Sequence, residues 1–309
     1  MVRKAILLMG PTASGKTDIA ISLCKRFPCD VISVDSALVY RGMNIGTAKP
    51  DRETLHRTPH RLIDIRDPEE SYSAGDFVRD AGKAMDEIIA SGRIPLLAGG
   101  TMMYFRALTE GIADLPSADA AIRDEIDAEA QQQGWPAMHE KLRAVDTRAA
   151  SRINPADSQR IQRALEVYRA SGKSLSDWQR QSEQVSGNIS YLKIALQIEP
   201  RSVLHARIKG RLEQMLKNGF VEELRALRLR PGLTRESPAM RSVGYRQFWN
   251  YLEGDCSLAE ASERALFATR QLAKRQLTWL RSETSVFSVD ALEDTAIDTI
   301  SAHLVQNLH

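Results

Sequence analysis

The chain has 309 residues, 43% hydrophobic and 27% charged, values near those of soluble globular proteins that exclude a disordered, collagen-like or fibrous chain. At about 150 residues per domain, the length predicts two domains or one domain carrying a large insertion. The net charge of +2 conceals a division: residues 1–110 carry +1, 111–190 carry −2, 191–285 carry +7, and 286–309 carry −4. A segregated basic block hints at a polyanion partner, although a solvated helix face looks the same in sequence.

Along the chain, Arg3-Lys4 leads into a five-residue apolar run, Ala5 to Met9, with no signal-peptide core. No run approaches the roughly 20 apolar residues that span a bilayer, so no membrane partner and a cytoplasmic location are expected. The run ends in a Gly-rich turn, Thr17 to Phe27 has helical periodicity, and Val31 to Val34 is a second apolar run closed by Asp35. Such alternation predicts a parallel sheet. Ser73-Ala-Gly-Asp76 reads as the capped start of a helix reaching about Ala90, followed by a buried strand, Ile94 to Ala98, and then Gly99-Gly100-Thr101. From about Gly111, strand signals stop for about 75 residues, with helix starts at Ser117, Pro136 and near Asp157. Lys193 to Ile198 restores a strand, and long helices follow at Ser202 to Lys217 and Ser257 to Ser282, the latter opened by Ser257-Leu-Ala-Glu260. The expected fold is α/β, a P-loop NTPase-like parallel-sheet core at 1–111 and 191–309. It is interrupted by an all-helical domain at 112–190 and ends in long C-terminal helices.

Gly10-Pro11-Thr12-Ala13-Ser14-Gly15-Lys16-Thr17 matches G-x-x-x-x-G-K-[ST] between a strand and a helix. Its glycines let successive N–H groups point inward, the helix N-terminus adds positive potential, Lys16 supplies a charge, and the Thr17 hydroxyl can hold Mg²⁺. The loop therefore reads as a di- or triphosphate site. Asp35 ends the second strand at the edge where ligands of open α/β sheets sit, and its spacing allows a Mg²⁺ ligand, a helix N-cap or a catalytic base. Gly99-Gly100-Thr101 follows a strand on the same edge, as a tight turn or a place of close substrate approach. The cysteines, Cys24, Cys29 and Cys256, suggest neither a disulfide framework nor a zinc site, and Pro59 disfavours a metal pair at His56 and His60.

Together several segments resemble the tRNA dimethylallyltransferases, also called tRNA isopentenyltransferases. They are Gly10 to Thr17, Asp35 to Pro50, Tyr72 to Phe77, Gly99 to Tyr104, Asp157 to Val167, Ser242 to Gln247 and Ala268 to Arg281. They are collinear and cover nearly the whole chain to about residue 282. The eukaryotic zinc-finger extension has no counterpart, which points to the bacterial type. The resemblance implies transfer of a dimethylallyl group from dimethylallyl diphosphate to the N6 amine of the adenosine just 3′ of the anticodon. A nucleotide-type loop would then serve a prenyl diphosphate, with Mg²⁺ as cofactor and no ATP consumed.

On that reading Asp35 is the candidate base, Thr101 assists it, and Lys16 stabilises the departing pyrophosphate. Arg123 would reach phosphates or RNA, unless it is only a solvated residue of an acidic helix. Arg207 and Arg211, four apart, are weaker candidates for a pyrophosphate clamp. The resemblance places contacts with the tRNA anticodon stem-loop on four segments in addition to Thr101 and Arg123. These are Asp35, Ser36, Ala37 and Leu38; Gln159, Arg160, Ile161, Gln162 and Arg163; Met240, Arg241, Ser242, Val243, Gly244 and Tyr245; and Lys274, Arg275, Gln276 and Arg281. In the last helix Arg270, Lys274 and Arg281 fall within about 40° of one another, beside an apolar stripe of Leu266, Ala273, Leu277 and Leu280. A monomer is expected. Three other functions fit parts of the pattern: a small-molecule kinase, a prenyltransferase of free adenine nucleotides, and a non-enzymatic RNA-binding protein.

Overall fold

Ala5 to Met9 is too short an apolar run for a helix, and every one of its side chains is buried, as a strand covered on both faces requires. In the computed structural model, which describes residues 3–111, 113, 115–116, 119–180 and 189–308, this run is the centre of β1 (Arg3–Met9). With it run β2 (Cys29–Val34), β3 (His60–Arg61), β4 (Ile94–Gly99), β5 (Ile189–Gln197) and β6 (Val286–Asp290). Among the described residues these form one parallel sheet in the order β3-β2-β4-β1-β5-β6. Gly99 lies opposite both Met9 and Val34, and Met9 lies opposite Ala195, so β1, β2, β4 and β5 reach one level. The loops leaving that edge share the space where a ligand can sit.

Ahead of the helical insertion come α1 (Lys16–Arg26), α2 (Arg52–Arg57), α3 (Ala74–Ala90) and α4 (Met102–Glu110). The insertion contributes α5 (Ala120–Gln133), α6 (Trp135–Val145), α7 (Thr147–Arg152), α8 (Ser158–Ser171) and α9 (Leu175–Arg180). After β5 come α10 (Arg201–Lys217), α11 (Phe220–Arg228), α12 (Tyr245–Leu252), α13 (Leu258–Ser282) and α14 (Ala296–Leu308). α1 and α14 close part of the core over the sheet, with Ala20, Leu23, Ile300 and Leu304 packed on Ile6, Leu8, Val31, Leu96 and Ile194. The Ser73–Asp76 and Ser257–Glu260 pairs both form complete capping boxes, so α3 and α13 begin where their polar residues satisfy the first free N–H groups.

The chain divides into two compact units, residues 1–107 with 187–309, and residues 108–186. The described part of the second unit consists of helices and turns around a core of Ile126, Met138, Leu142, Ile161, Ala164 and Leu165. Pro136 sits in the first turn of α6 and Asp157 caps α8. The expected start at Ser117 lies outside the described residues. Asp119 is the observed cap of α5, its Oδ1 accepting the N–H groups of Ala121 and Ile122.

β6 and α14 escape the pattern reading for physical reasons. β6 is an edge strand, and Val289 is its only buried side chain, so it shows no apolar run. α14 is anchored by Ala296, Ile300 and Leu304 at a four-residue spacing, in a tail whose charge is its more conspicuous feature.

Candidate active site

The phosphate loop is shaped by contacts that exclude larger residues. A Cβ on Gly10 would lie 2.7 Å from Ser14 Oγ and 3.1 Å from Leu196 Cβ, and Gly15 has φ 85°, in the left-handed region. Gly15 caps α1 without any side-chain hydrogen bond, leaving the helix's first N–H groups for an anion. Lys16 Nζ folds over the loop and donates to Gly10 O at 2.9 Å, Pro11 O at 2.6 Å and Ser14 Oγ at 3.4 Å. Loss of solvent around it, and then the nearby Arg211 charge, bring its pKa down to about 7, against the opposing pull of Asp35.

The loop forms one wall of a cleft of about 260 Å³ at the sheet edge. Thr17, exposed at the start of α1, lines it, as does half-buried Asp35 from the end of β2. Asp35 Oδ1 accepts the N–H groups of Ala37 at 2.8 Å and Leu38 at 3.2 Å. No helix follows Asp35, so the helix N-cap weighed from sequence is not formed; one oxygen instead closes the turn over residues 36–39, and the residue still fronts the cleft. Thr101 Oγ1 accepts the Ser36 N–H at 3.1 Å, and the Thr101 N–H donates to Val34 O at 3.2 Å, so Thr101 fastens the Asp35 turn to the end of β4. The paired glycines serve close packing: a Cβ on Gly99 would lie 2.0 Å from Val34 O, and one on Gly100 would lie 2.5 Å from Gln276 Nε2.

α10 brings Arg211 into the cleft, where its Nη2 donates to Thr47 O at 2.9 Å. Burial lowers the Arg211 pKa, again opposed by Asp35. Arg207, one turn earlier, is exposed and does not line the cleft. Two cations and a carboxylate from three separated stretches therefore front one cavity that has a helix N-terminus in its wall. This arrangement suits a diphosphate and a proton acceptor beside it.

The family model of the IPP transferases matches residues 38–283, most of the chain. The chain belongs to the IPP transferase family. It is 52% identical to tRNA dimethylallyltransferase 2 of Hahella chejuensis, over 97% of this chain and 94% of that protein. Among solved structures it resembles the full-length tRNA isopentenylpyrophosphate transferase of Bacillus halodurans, with TM-score 0.73 and 36% identity over 100% of this chain and 97% of that one. It also resembles a eukaryotic dimethylallyltransferase acting on tRNA, with TM-score 0.83 and 25% identity over 99% of this chain and 79% of that one. The phosphate loop lies ahead of the span matched by the family model, so that match does not rest on the loop.

Not every residue assigned from the family resemblance faces solvent or the cleft. Ile161 is fully buried in the core of the helical unit, and Met240 and Tyr245 are fully buried in the other unit, so these side chains support their folds. Gln276 is also committed: its Oε1 accepts the Thr12 N–H at 2.9 Å and its Nε2 donates to Gly100 O at 2.8 Å. It ties α13 to the phosphate loop and to the end of β4, and it lines the cleft. Gln159, Arg160, Arg241, Lys274, Arg275 and Arg281 are exposed, and Ser36 is exposed on the turn after Asp35. Ala37, Leu38, Ser242 and Val243 are half-buried, and Gly244, at φ 93°, makes the turn into α12. Gln162 Nε2 donates to Asp127 Oδ1 at 2.7 Å.

Arg123 is not the loosely solvated residue its acidic neighbours suggested. Its Nε and Nη2 donate to the two oxygens of Glu166 at 3.0 and 3.2 Å. Arg163 donates to the same carboxylate at 2.8 Å and to Pro116 O at 2.8 Å. Glu166 is fully buried; burial raises its pKa, but the arginines and the Asp119 N–H outweigh that and hold it below the usual range.

Sequence reasoning attached no role to Thr47, Ala48, Pro50 or His60, all of which line the cleft. The first three lie in the Asp35 to Pro50 match, which was the available signal. His60 comes from the two-residue strand β3, which leaves no pattern, and its burial lowers its pKa.

Proposed function

We infer that this IPP transferase family member carries a dimethylallyl group from dimethylallyl diphosphate to the N6 amine of the adenosine 3′-adjacent to the tRNA anticodon, acting as a monomer and releasing pyrophosphate. The observation that carries this reading is the shared cleft of Lys16, Asp35 and Arg211. Breaking the allylic C–O bond builds negative charge on the departing diphosphate. The N–H groups at the start of α1, Lys16 and Arg211 are donors fixed in advance where that charge develops. The acceptor amine is a poor nucleophile because its lone pair is delocalised into the purine. Asp35, on the cleft wall, orients it and takes its proton, and Thr101 holds the Asp35 turn through Ser36. The base must leave the anticodon-loop stack to reach that carboxylate.

Mg²⁺ fits this site through the exposed Thr17 hydroxyl on the cleft wall, together with diphosphate oxygens. The described residues hold no cluster of three or more His, Cys, Asp or Glu side chains suited to a metal, which accords with an ion bound largely by its substrate. When bound, it supplies further neutralisation of the diphosphate charge. Lys274, Arg275 and Arg281 on α13, Arg241, and Gln159 and Arg160 on α8 are the exposed side chains offered for RNA phosphate and base contacts. No helix among the described residues is long and apolar enough to cross a membrane.

The deciding experiment incubates the protein with unmodified tRNA, Mg²⁺ and labelled dimethylallyl diphosphate, without ATP. Label should appear on the adenosine beside the anticodon. Transfer to free adenine nucleotides alone, a requirement for a nucleoside triphosphate, or no label on tRNA would overturn the reading.

A further inference from the structure

Three successive backbone N–H groups in the 42–50 loop converge on one carboxylate. Glu223, in the first turn of α11, accepts from Asn44 at 2.8 Å and Ile45 at 2.7 Å on Oε2, and from Gly46 at 3.1 Å on Oε1. The Tyr245 hydroxyl donates to the same Oε1 at 2.6 Å. Consecutive N–H groups gathered around an anion form a nest, the device that phosphate loops use for ligands. Here an internal carboxylate fills it. The loop also lies directly on two rings: a Cβ on Gly46 would be 2.1 Å from Phe220 Cε2 and 2.6 Å from Tyr245 Cζ. Phe220 and Tyr245 meet edge to face with centroids 5.0 Å apart.

The next residue of the loop faces the cleft. Thr47 lines it and offers its carbonyl to Arg211 Nη2 at 2.9 Å. Arg211 is thus aimed by a loop carbonyl, and the height of that carbonyl is set one residue earlier by the nest.

We propose that Glu223 is a positioning residue for the transfer reaction: with the Tyr245 hydroxyl it fixes the 44–47 loop and through Thr47 holds Arg211 on the diphosphate. The proposal rests on the function inferred above. It gives the buried Tyr245, and Gly46 two hundred residues before it, one joint task that does not involve touching RNA.

Glu223→Gln keeps the size of the side chain but turns an –NH₂ donor toward N–H groups, so at least one of them loses its acceptor. The Kd of dimethylallyl diphosphate, by titration calorimetry, should rise about tenfold, with the KM for tRNA within about twofold of wild type. In an Arg211→Gln background the same change should add less than about twofold, because Arg211 is the group through which Glu223 acts. Tyr245→Phe removes one hydroxyl from an otherwise intact ring and should raise the Kd about two- to fourfold, a readout that survives if Glu223→Gln folds poorly. An unchanged diphosphate Kd in Tyr245→Phe, a change in the tRNA KM alone, or full additivity with Arg211→Gln would each overturn the proposal. Wild-type protein that binds diphosphate but transfers no label fails the functional reading instead, and the coupling of Glu223 to Arg211 is still measured by binding.

Discussion

Raising the pH should weaken diphosphate binding well before an ordinary lysine would lose its proton. Lys16 is brought from 10.5 to about 7 by burial and by the Arg211 charge, with Asp35 resisting. The sign follows from which form binds: a diphosphate oxygen needs the ammonium, so above pH 7 the binding-competent fraction of free protein falls tenfold per pH unit. Relative to pH 6, the apparent Kd for dimethylallyl diphosphate should be about 10-fold higher at pH 8 and about 100-fold higher at pH 9. The last ionisation of a phosphate group, at about 6, is nearly complete by pH 8 and strengthens binding, so it cannot produce the fall. In the complex the diphosphate restores the Lys16 proton, so binding above neutrality should take up close to one proton. Titration calorimetry in buffers of different ionisation heat measures both quantities. Arg211→Gln should lower affinity at every pH yet move the break upward, because one of the influences depressing Lys16 is gone. A flat Kd from pH 6 to 9, or a break that stays in place in Arg211→Gln, would refute the electrostatic argument.

Three further outcomes follow from named contacts. Asp35→Asn keeps a carbonyl oxygen for the Ala37 and Leu38 N–H groups but removes the base, so turnover in the label-transfer assay should fall about 10²-fold, with diphosphate still bound; wild-type turnover would remove Asp35 from that role. Gly99→Ala places a Cβ 2.0 Å from Val34 O and must part β2 from β4, costing about 2 kcal/mol or more in urea unfolding; an unmoved midpoint would contradict that close approach. Ser257→Ala removes half of the α13 capping box and should cost about 1 kcal/mol in the same assay. Diphosphate affinity should be unaltered in this last variant, because Gln276 lies about five turns further along the helix.

The readable part of the site is the part built from neighbours in sequence. Strand, glycine loop and helix N-terminus are contiguous from Met9 to Thr17, so the motif carries its own geometry. Asp35 was legible as the residue that ends an apolar strand, and Ser73 and Ser257 as caps, because each acts within three or four residues of itself. The pairing of Arg123 with Glu166 was not legible, since 43 residues separate them and the acidic neighbours of Arg123 are nearer in sequence. The strapping role of Gln276 was not legible for a related reason. It sits in a basic helix whose exposed side chains suggest RNA, while its own faces inward to Thr12 and Gly100. Ile161, Met240 and Tyr245 lie in the matched motifs, yet a motif does not say which of its members face the core.

The sequence by itself determined the phosphate loop, the alternation that makes a parallel sheet, the caps that start α3 and α13, and the presence of a helical stretch within the core. These are set by backbone preferences and side-chain hydrogen bonds over a few residues. Only the tertiary structure decided that Lys16, Asp35 and Arg211 share one cleft, that Gln276 straps the loop, and that Glu223 fills a nest behind Thr47. Such meetings depend on the register of the strands and the packing of α10, α11 and α13. Register and packing are properties of the whole core, which no local stretch of sequence contains.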